Sequence, residues 1–355
     1  MDVALVLAEE EKRDRQIYYD LPIVHVKGIY LTGYTAGMES RFNELLKLAD
    51  ETEINAMVID IKDDRGEISY ESNVPLAKET GAGRKKIKDL DALLHTLHQH
   101  NIFPIARIVV FKDPIVSSKR SDLAVHNKNG GVWKDRKGLS WLDPYNKENW
   151  NYIADLAKEA VEKGFKEIQL DYIRFPSDGA TVNAIYPAQN EWDRAQTIEE
   201  FLAFMRKEME PYEVPLSVDI FGLTTSVTEG DMGIGQKIVG MSEQVDYICP
   251  MVYPSHYIPG NFGLKNPDRQ PYETVFYSLK NAKERVGHTG VKIRPWLQDF
   301  SLQSVYTAEE VRAQIKATYD NNIQEWILWN AGNRYTRAAL EPEKTREVGP
   351  RIALR

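Results

Sequence analysis

The sequence is poor in the residues that would tie it to disulfides, metal clusters, nucleic acid or a bilayer. Its 355 residues include one cysteine, Cys249, which excludes a disulfide within the chain and a cysteine-based metal site. Basic residues are outnumbered, 45 Lys and Arg against 53 Asp and Glu, for a net charge of −8. Phosphate backbones need a basic face, so no nucleic-acid partner is expected. The one dense basic run, Arg84-Lys85-Lys86, reads as a solvated loop edge. No apolar stretch approaches the ~18 residues that cross a bilayer, so no transmembrane segment is expected. Histidine is scarce too: of the 7, only His256 follows the carboxyl end of a strand-like run. No catalytic metal and no cofactor are therefore expected. A Gly-x-Ser-x-Gly turn is absent, and only Ala331-Gly332-Asn333 offers glycine where a phosphate-binding barrel would want it. Met1 to Glu11 is apolar and then acidic, unlike an intact signal peptide. A chain whose leader had been removed would read the same way, and an extracellular or envelope location is then expected.

What is present is a strict alternation of two periods. Strand-length apolar runs occur at His25–Gly33, Ala56–Asp64, Phe103–Phe111, Glu167–Phe175, Pro215–Gly222, Tyr247–Tyr253, Lys292–Phe300 and Glu325–Asn330. Between them apolar residues recur at helical spacing, as in Leu90, Leu93, Leu94 and Leu97. Thr307 and Glu310 form a capping-box start. Eight strand–helix pairs in series are the pattern of an α/β fold, a single (β/α)₈ TIM barrel. We therefore expect a barrel over residues 25–340, an N-terminal extension over 1–24 and a C-terminal tail over 341–355. Helix-to-strand connections are short, whereas Arg65–Ile87, Lys112–Asn146, Pro176–Gln196 and Pro254–Pro271 are long. All the long ones fall on the carboxyl face, where such barrels place their chemistry.

Alternate residues of a barrel strand point inward, so polar residues at alternate positions near carboxyl ends are the informative ones. In the fourth run these are Gln169 and Asp171, in the fifth Ser217 and Asp219, in the second Asp60, Lys62 and Asp64. A carboxylate in a barrel core is costly unless paired or functional. A pair on adjacent strands is what acid/base work at a glycosidic bond requires. Asp171 and Asp219 are the expected catalytic pair, with Arg174 a cation beside Asp171. The later strand ends are rich in flat side chains: Tyr253, His256, Tyr257, Trp296 and Trp329, with Gln298 among them. Aromatic faces beside hydrogen-bonding tips suit sugar rings, so an oligosaccharide or polysaccharide substrate is expected. Trp133, Trp141 and Tyr145 either wall that cleft or form a packed loop core.

The chain resembles a family here. Lys27-Gly28-Ile29-Tyr30, the run Ile59-Asp60-Ile61-Lys62-Asp63-Asp64-Arg65-Gly66 and Leu170-Asp171-Tyr172-Ile173-Arg174-Phe175-Pro176 are similar to a family of bacterial barrel proteins described as putative glycosyl hydrolases. Pro250-Met251-Val252-Tyr253-Pro254 and Arg294-Pro295-Trp296-Leu297-Gln298-Asp299-Phe300 extend the likeness over about Lys27 to Asn333. The resemblance implies a barrel and activity on glycans. Met251-Val252-Tyr253 and Trp329 are more distantly similar to chitinase-like barrels. Those carry a glutamate at the end of strand four, where this chain has Asp171, so substrate-assisted N-acetyl chemistry is not implied. The aspartate there looks more like the alpha-glycosidase type. Two readings stay open: a glycosidase, and a non-catalytic carbohydrate-binding barrel of an envelope or spore surface.

Overall fold

Residues 25–342 are described by the computed structural model, and within them the apolar runs become parallel strands. In chain order these are β1 (Lys27–Leu31), β2 (Ala56–Lys62), β3 (Phe103–Val109), β4 (Glu167–Asp171), β5 (Leu216–Phe221) and β6 (Tyr247–Met251). Then come β7, in two pieces (Lys292–Ile293 and Trp296–Gln298), and β8 (Trp326–Trp329). Each pairs in parallel with its neighbour, and β8 pairs back onto β1, closing the barrel. The strands are shorter than the apolar runs. β7 is interrupted at Arg294-Pro295, since proline has no N–H for a ladder. β4 stops at Asp171 because Tyr172 turns away with φ of 54°, a left-handed conformation that is uncommon outside glycine.

Seven helices alternate with the strands: α1 (Glu39–Asp50), α2 (Leu90–Gln99), α3 (Lys147–Lys163), α4 (Arg194–Met209), α5 (Ile238–Ser242), α6 (Pro271–Val286) and α7 (Ala308–Asp320). Their starts are written in side chains: Asp89, Asn146 and Asp193 each accept an orphan N–H of the first turn, and Thr307 with Glu310 closes a capping box. After β8 the described residues hold a 3₁₀ turn, Arg337–Ala339, in place of an eighth helix. The 1–24 extension and all but the first residues of the 341–355 tail lie outside the described residues.

Alternation divides each strand between two cores. On β2, Met57, Ile59 and Ile61 join the outer core between sheet and helices, while Ala56 and Val58 join the barrel interior. At the amino end the interior is closed by Arg294, whose guanidinium donates to Glu325 (2.8 Å) and Glu167 (2.7 Å) over the ring of Tyr247. At the carboxyl end the loops after β3 and β4 meet through an antiparallel pair, His126–Asn127 with Ala184–Ile185. Trp133, Trp141 and Tyr145 are buried in that excursion. They form a loop core rather than a cleft wall.

One inward assignment is corrected here. The register runs Asp60 to Arg107 and then Lys62 to Ile108, so a bulge absorbs Ile61 and the alternation slips. Lys62 therefore joins the outer side instead of sharing the interior with Asp60. Fully buried, its Nζ donates to Val109 O (2.7 Å) and pairs with Asp113 Oδ2 (3.0 Å). Asp113 Oδ1 in turn accepts the N–H groups of Ile115 and Val116 and starts the next turn. Breaking a buried pair leaves an unmatched charge, which costs about 3–5 kcal/mol. Lys62→Met should lose that much in urea unfolding, and adding Asp113→Asn should recover part of it. A loss below about 1 kcal/mol would show that the pair does not hold the loop.

Candidate active site

Neighbouring strands bring one side chain each to the same level of the barrel mouth, and the group they surround is Arg107 of β3. Its Nη1 donates to Asp60 Oδ1 on β2 at 2.5 Å, its Nη2 to Asp171 Oδ2 on β4, and its Nε stands 3.8 Å from Asp219 Oδ2 on β5. From β1 Tyr30 donates its hydroxyl to Asp60 Oδ2 at 2.5 Å, and its ring stacks on Trp329 of β8, centroids 4.1 Å apart. Both rings lie against the guanidinium, at 5.5 and 5.4 Å. From β7 Trp296 donates its indole N–H to Asp219 Oδ1 at 2.6 Å, and Gln169 donates to the same oxygen at 2.7 Å. The register Leu170 to Val218 sets Asp171 and Asp219 side by side at the next position.

The carboxyl groups differ in surroundings. Asp171 accepts from Arg107 and from the backbone N–H of Tyr172 at 2.6 Å, partners suited to an anion. Burial pushes Asp60 up to about 6 even against the pull of Arg107 and Tyr30. Asp219 is raised well above the usual carboxylate range, first by burial and then by the charge of Asp171, with Arg107, Trp296 and Gln169 opposing. Both leading influences favour the protonated form of Asp219. Its Oδ2 has no hydrogen-bond partner among the described residues, so that oxygen is available to carry the proton.

The other candidate residues are placed as follows. Asp64 stands at the rim, partly exposed, 3.3 Å from Lys112. Tyr253 is buried beneath the mouth, edge-on to Phe300 and to His256, which is exposed. Trp329 is half-buried. Four assignments need correction. Trp296 is 1% exposed and serves as a hydrogen-bond donor under Asp219, with no free face for a ring. Tyr257 turns away from the cleft, its hydroxyl accepting from Ser278 of α6. Gln298 is fully buried and joins loops, accepting from Ser255 N and donating to Phe300 O. Arg174 makes no ion pair with Asp171; Arg107 does. The sequence reading missed Arg107 and Tyr30. The signal was there: a charged residue on the inward face of Phe103–Val109, sharing it with Phe103 and Ile105.

Asp60 supplies a test by pH. Folded, it keeps its proton to about pH 6, whereas an unfolded chain releases it near 3.9. The folded state binds more protons across that window, so Asp60 makes the fold lose stability as pH rises through it. The slope is up to about 1 kcal/mol per pH unit. Asp60→Asn removes the titration, so the variant's unfolding free energy should gain on wild type between about pH 4 and 6. A difference that stays flat over that window would mean Asp60 is ionised throughout.

Comparison with known proteins gives the architecture a context. A hypothetical protein from Ruminiclostridium thermocellum is 48% identical over 54% of this chain and 96% of that one, with a TM-score of 0.50. The glycoside hydrolase domain of PgaB (BpsB) from Bordetella bronchiseptica shares the fold at 11% identity and a TM-score of 0.61, over 88% of this chain and 95% of that one. The alpha-galactosidase TtGalA from Thermus thermophilus does so at 14% identity and 0.54, over 91% of this chain and 62% of that one. At such identities these last two speak to the fold alone. No curated protein matches. Residues 28–335 match the family described as "putative glycosyl hydrolase domain", and the chain belongs to that family.

Proposed function

We propose that the protein hydrolyses an oligosaccharide or polysaccharide, with Asp171 the nucleophile and Asp219 the acid/base. The observation that carries this is the opposite setting of two neighbouring carboxyl groups. One is held by a guanidinium and a backbone N–H; the other is pushed toward its protonated form by burial and its neighbour's charge. Pairs whose environments push their acidities apart mark acid and base assignments. In the proposed reaction Asp171 attacks the anomeric carbon while Asp219 Oδ2 protonates the departing glycosidic oxygen. Asp219 then takes a proton from water, which displaces Asp171. Trp329, Phe300, Tyr172 and Phe221, all half-buried, supply flat surface for more than one ring.

A non-catalytic sugar-binding barrel is the second reading. It is favoured by the depth of Asp219, which is 1% exposed, and by the engagement of all three acids with Arg107.

The deciding experiment is turnover on a polysaccharide panel with Asp171→Gly and added azide. Asp171→Gly should be inactive and recover through a glycosyl azide, and Asp219→Asn should lose roughly 10²–10⁴-fold. Wild type that binds a glycan but never cleaves it would leave the binding reading. A chain-length series by calorimetry checks the aromatic surface. Affinity should grow with length, and Trp329→Ala should weaken the longer chains by about 1 kcal/mol. Affinity that stops growing at a monosaccharide would confine the site to one ring.

A further inference from the structure

Three arginines are buried among the described residues, Arg107, Arg174 and Arg294. Two are matched by acids: Arg107 by Asp60 and Asp171, Arg294 by Glu167 and Glu325. Arg174 is not. It is 8% exposed, yet no carboxylate oxygen of the described residues lies within the 4.0 Å of an ion pair. Both its hydrogen bonds leave from Nη1 and reach neutral acceptors, Phe175 O and Ser177 Oγ, each at 3.1 Å. Its Nε and Nη2 have no acceptor among the described residues and, unlike Arg107 Nε, are not sealed from solvent.

Three rings surround it: Trp141 at 4.9 Å, Tyr172 at 5.0 Å and Phe221 at 4.7 Å. Ring contacts of this kind return only part of what burying an ion costs. Burial lowers its pKa, and Asp171, Asp178 and Asp135 at longer range do not reverse that. The guanidinium stays charged all the same. It sits where Tyr172, next to Asp171, meets Phe221 at the end of β5, beside the proposed catalytic pair.

We propose that Arg174 recognises a monoanionic substituent, a carboxylate or a sulfate ester, on a sugar ring next to the Asp171–Asp219 pair, so that the glycan is acidic. The proposal rests on the reading of this mouth as a glycan site. A planar fork with free N–H groups pairs two oxygens of such a group at once. One cation in a neighbourhood already rich in carboxylates matches one negative charge, and a dianion would face those carboxylates with too little opposing it.

The test is calorimetry with Asp171→Asn, which holds a glycan without cutting it. The probes are oligosaccharides of glucuronate, galacturonate and mannuronate with their carboxyl-reduced twins, and sulfated galactans with their desulfated twins. One acidic series should bind roughly tenfold or more tighter than its neutral twin, and which series does so tells carboxylate from sulfate. Introducing Arg174→Gln should erase that preference while the neutral twin binds as before and the unfolding midpoint holds. Equal binding of charged and neutral twins throughout, or a preference that survives Arg174→Gln, overturns the proposal. Should Arg174→Gln not fold, Arg174→Lys keeps the charge without the fork, and an undiminished preference there overturns it equally. Selective binding of acidic glycans without any cleavage by wild type would support this proposal and sink the hydrolase reading. Cleavage with no preference for charge would do the reverse.

Discussion

Arg107 is the group on which the barrel mouth depends. It contacts carboxylates from β2 and β4 and faces a third on β5, all nearly removed from water. Without it those acids would face one another across a few ångströms, where like charges repel by about 4 kcal/mol even at a moderate effective dielectric constant. With it, Asp171 accepts from a guanidinium and a backbone N–H, while burial and the charge of Asp171 favour the protonated form of Asp219. The aromatic layer follows from the same cation, since Tyr30 and Trp329 stack on each other and against the guanidinium.

The barrel thus contains two ionic layers with apolar filling between them. The lower, Arg294 with Glu167 and Glu325, is closed: the arginine is matched by two acids. The upper is left incomplete, with Asp219 Oδ2 and Arg107 Nε both without a hydrogen-bond partner among the described residues. Apolar residues of similar volume would often fill such a space at no loss of stability. An unsatisfied polar layer at the end that carries the long loops is therefore more readily understood as a site than as scaffolding. A hydrolase needs such contrast, because two carboxyl groups in one environment could not serve as nucleophile and acid together.

The loops extend this logic outward. The loop after β3 buries its own tryptophans, Trp133 and Trp141, and pairs with the loop after β4 through a short ribbon, beside which Arg174 and Tyr172 stand. The β6 and β7 loops are tied through Gln298 and Ser255. What faces the opening is thus a limited set of half-buried rings around an acidic floor.

Periodicity was enough to read the (β/α)₈ architecture, because parallel strands buried on both faces are long apolar runs and the helices between them have capped, amphipathic sequences. The side of the long loops and the inward positions of Asp60, Asp171 and Asp219 were legible for the same reason. Alternation is a local property, and it holds as long as the register does. It failed where tertiary structure intervened. A bulge at Ile61 sent Lys62 outward, Pro295 broke β7, and Tyr172 ended β4 in a left-handed turn that carried Arg174 out of line with Asp171. Whether an aromatic side chain is a wall or a hydrogen-bond donor in the floor was likewise undecided until Trp296 met Asp219. The place of Arg107 could not be ranked from β3 alone, since its weight comes from acids on three other strands. A charge becomes central through the partners that folding brings to it, and those partners lie 47, 64 and, by position, more than a hundred residues away.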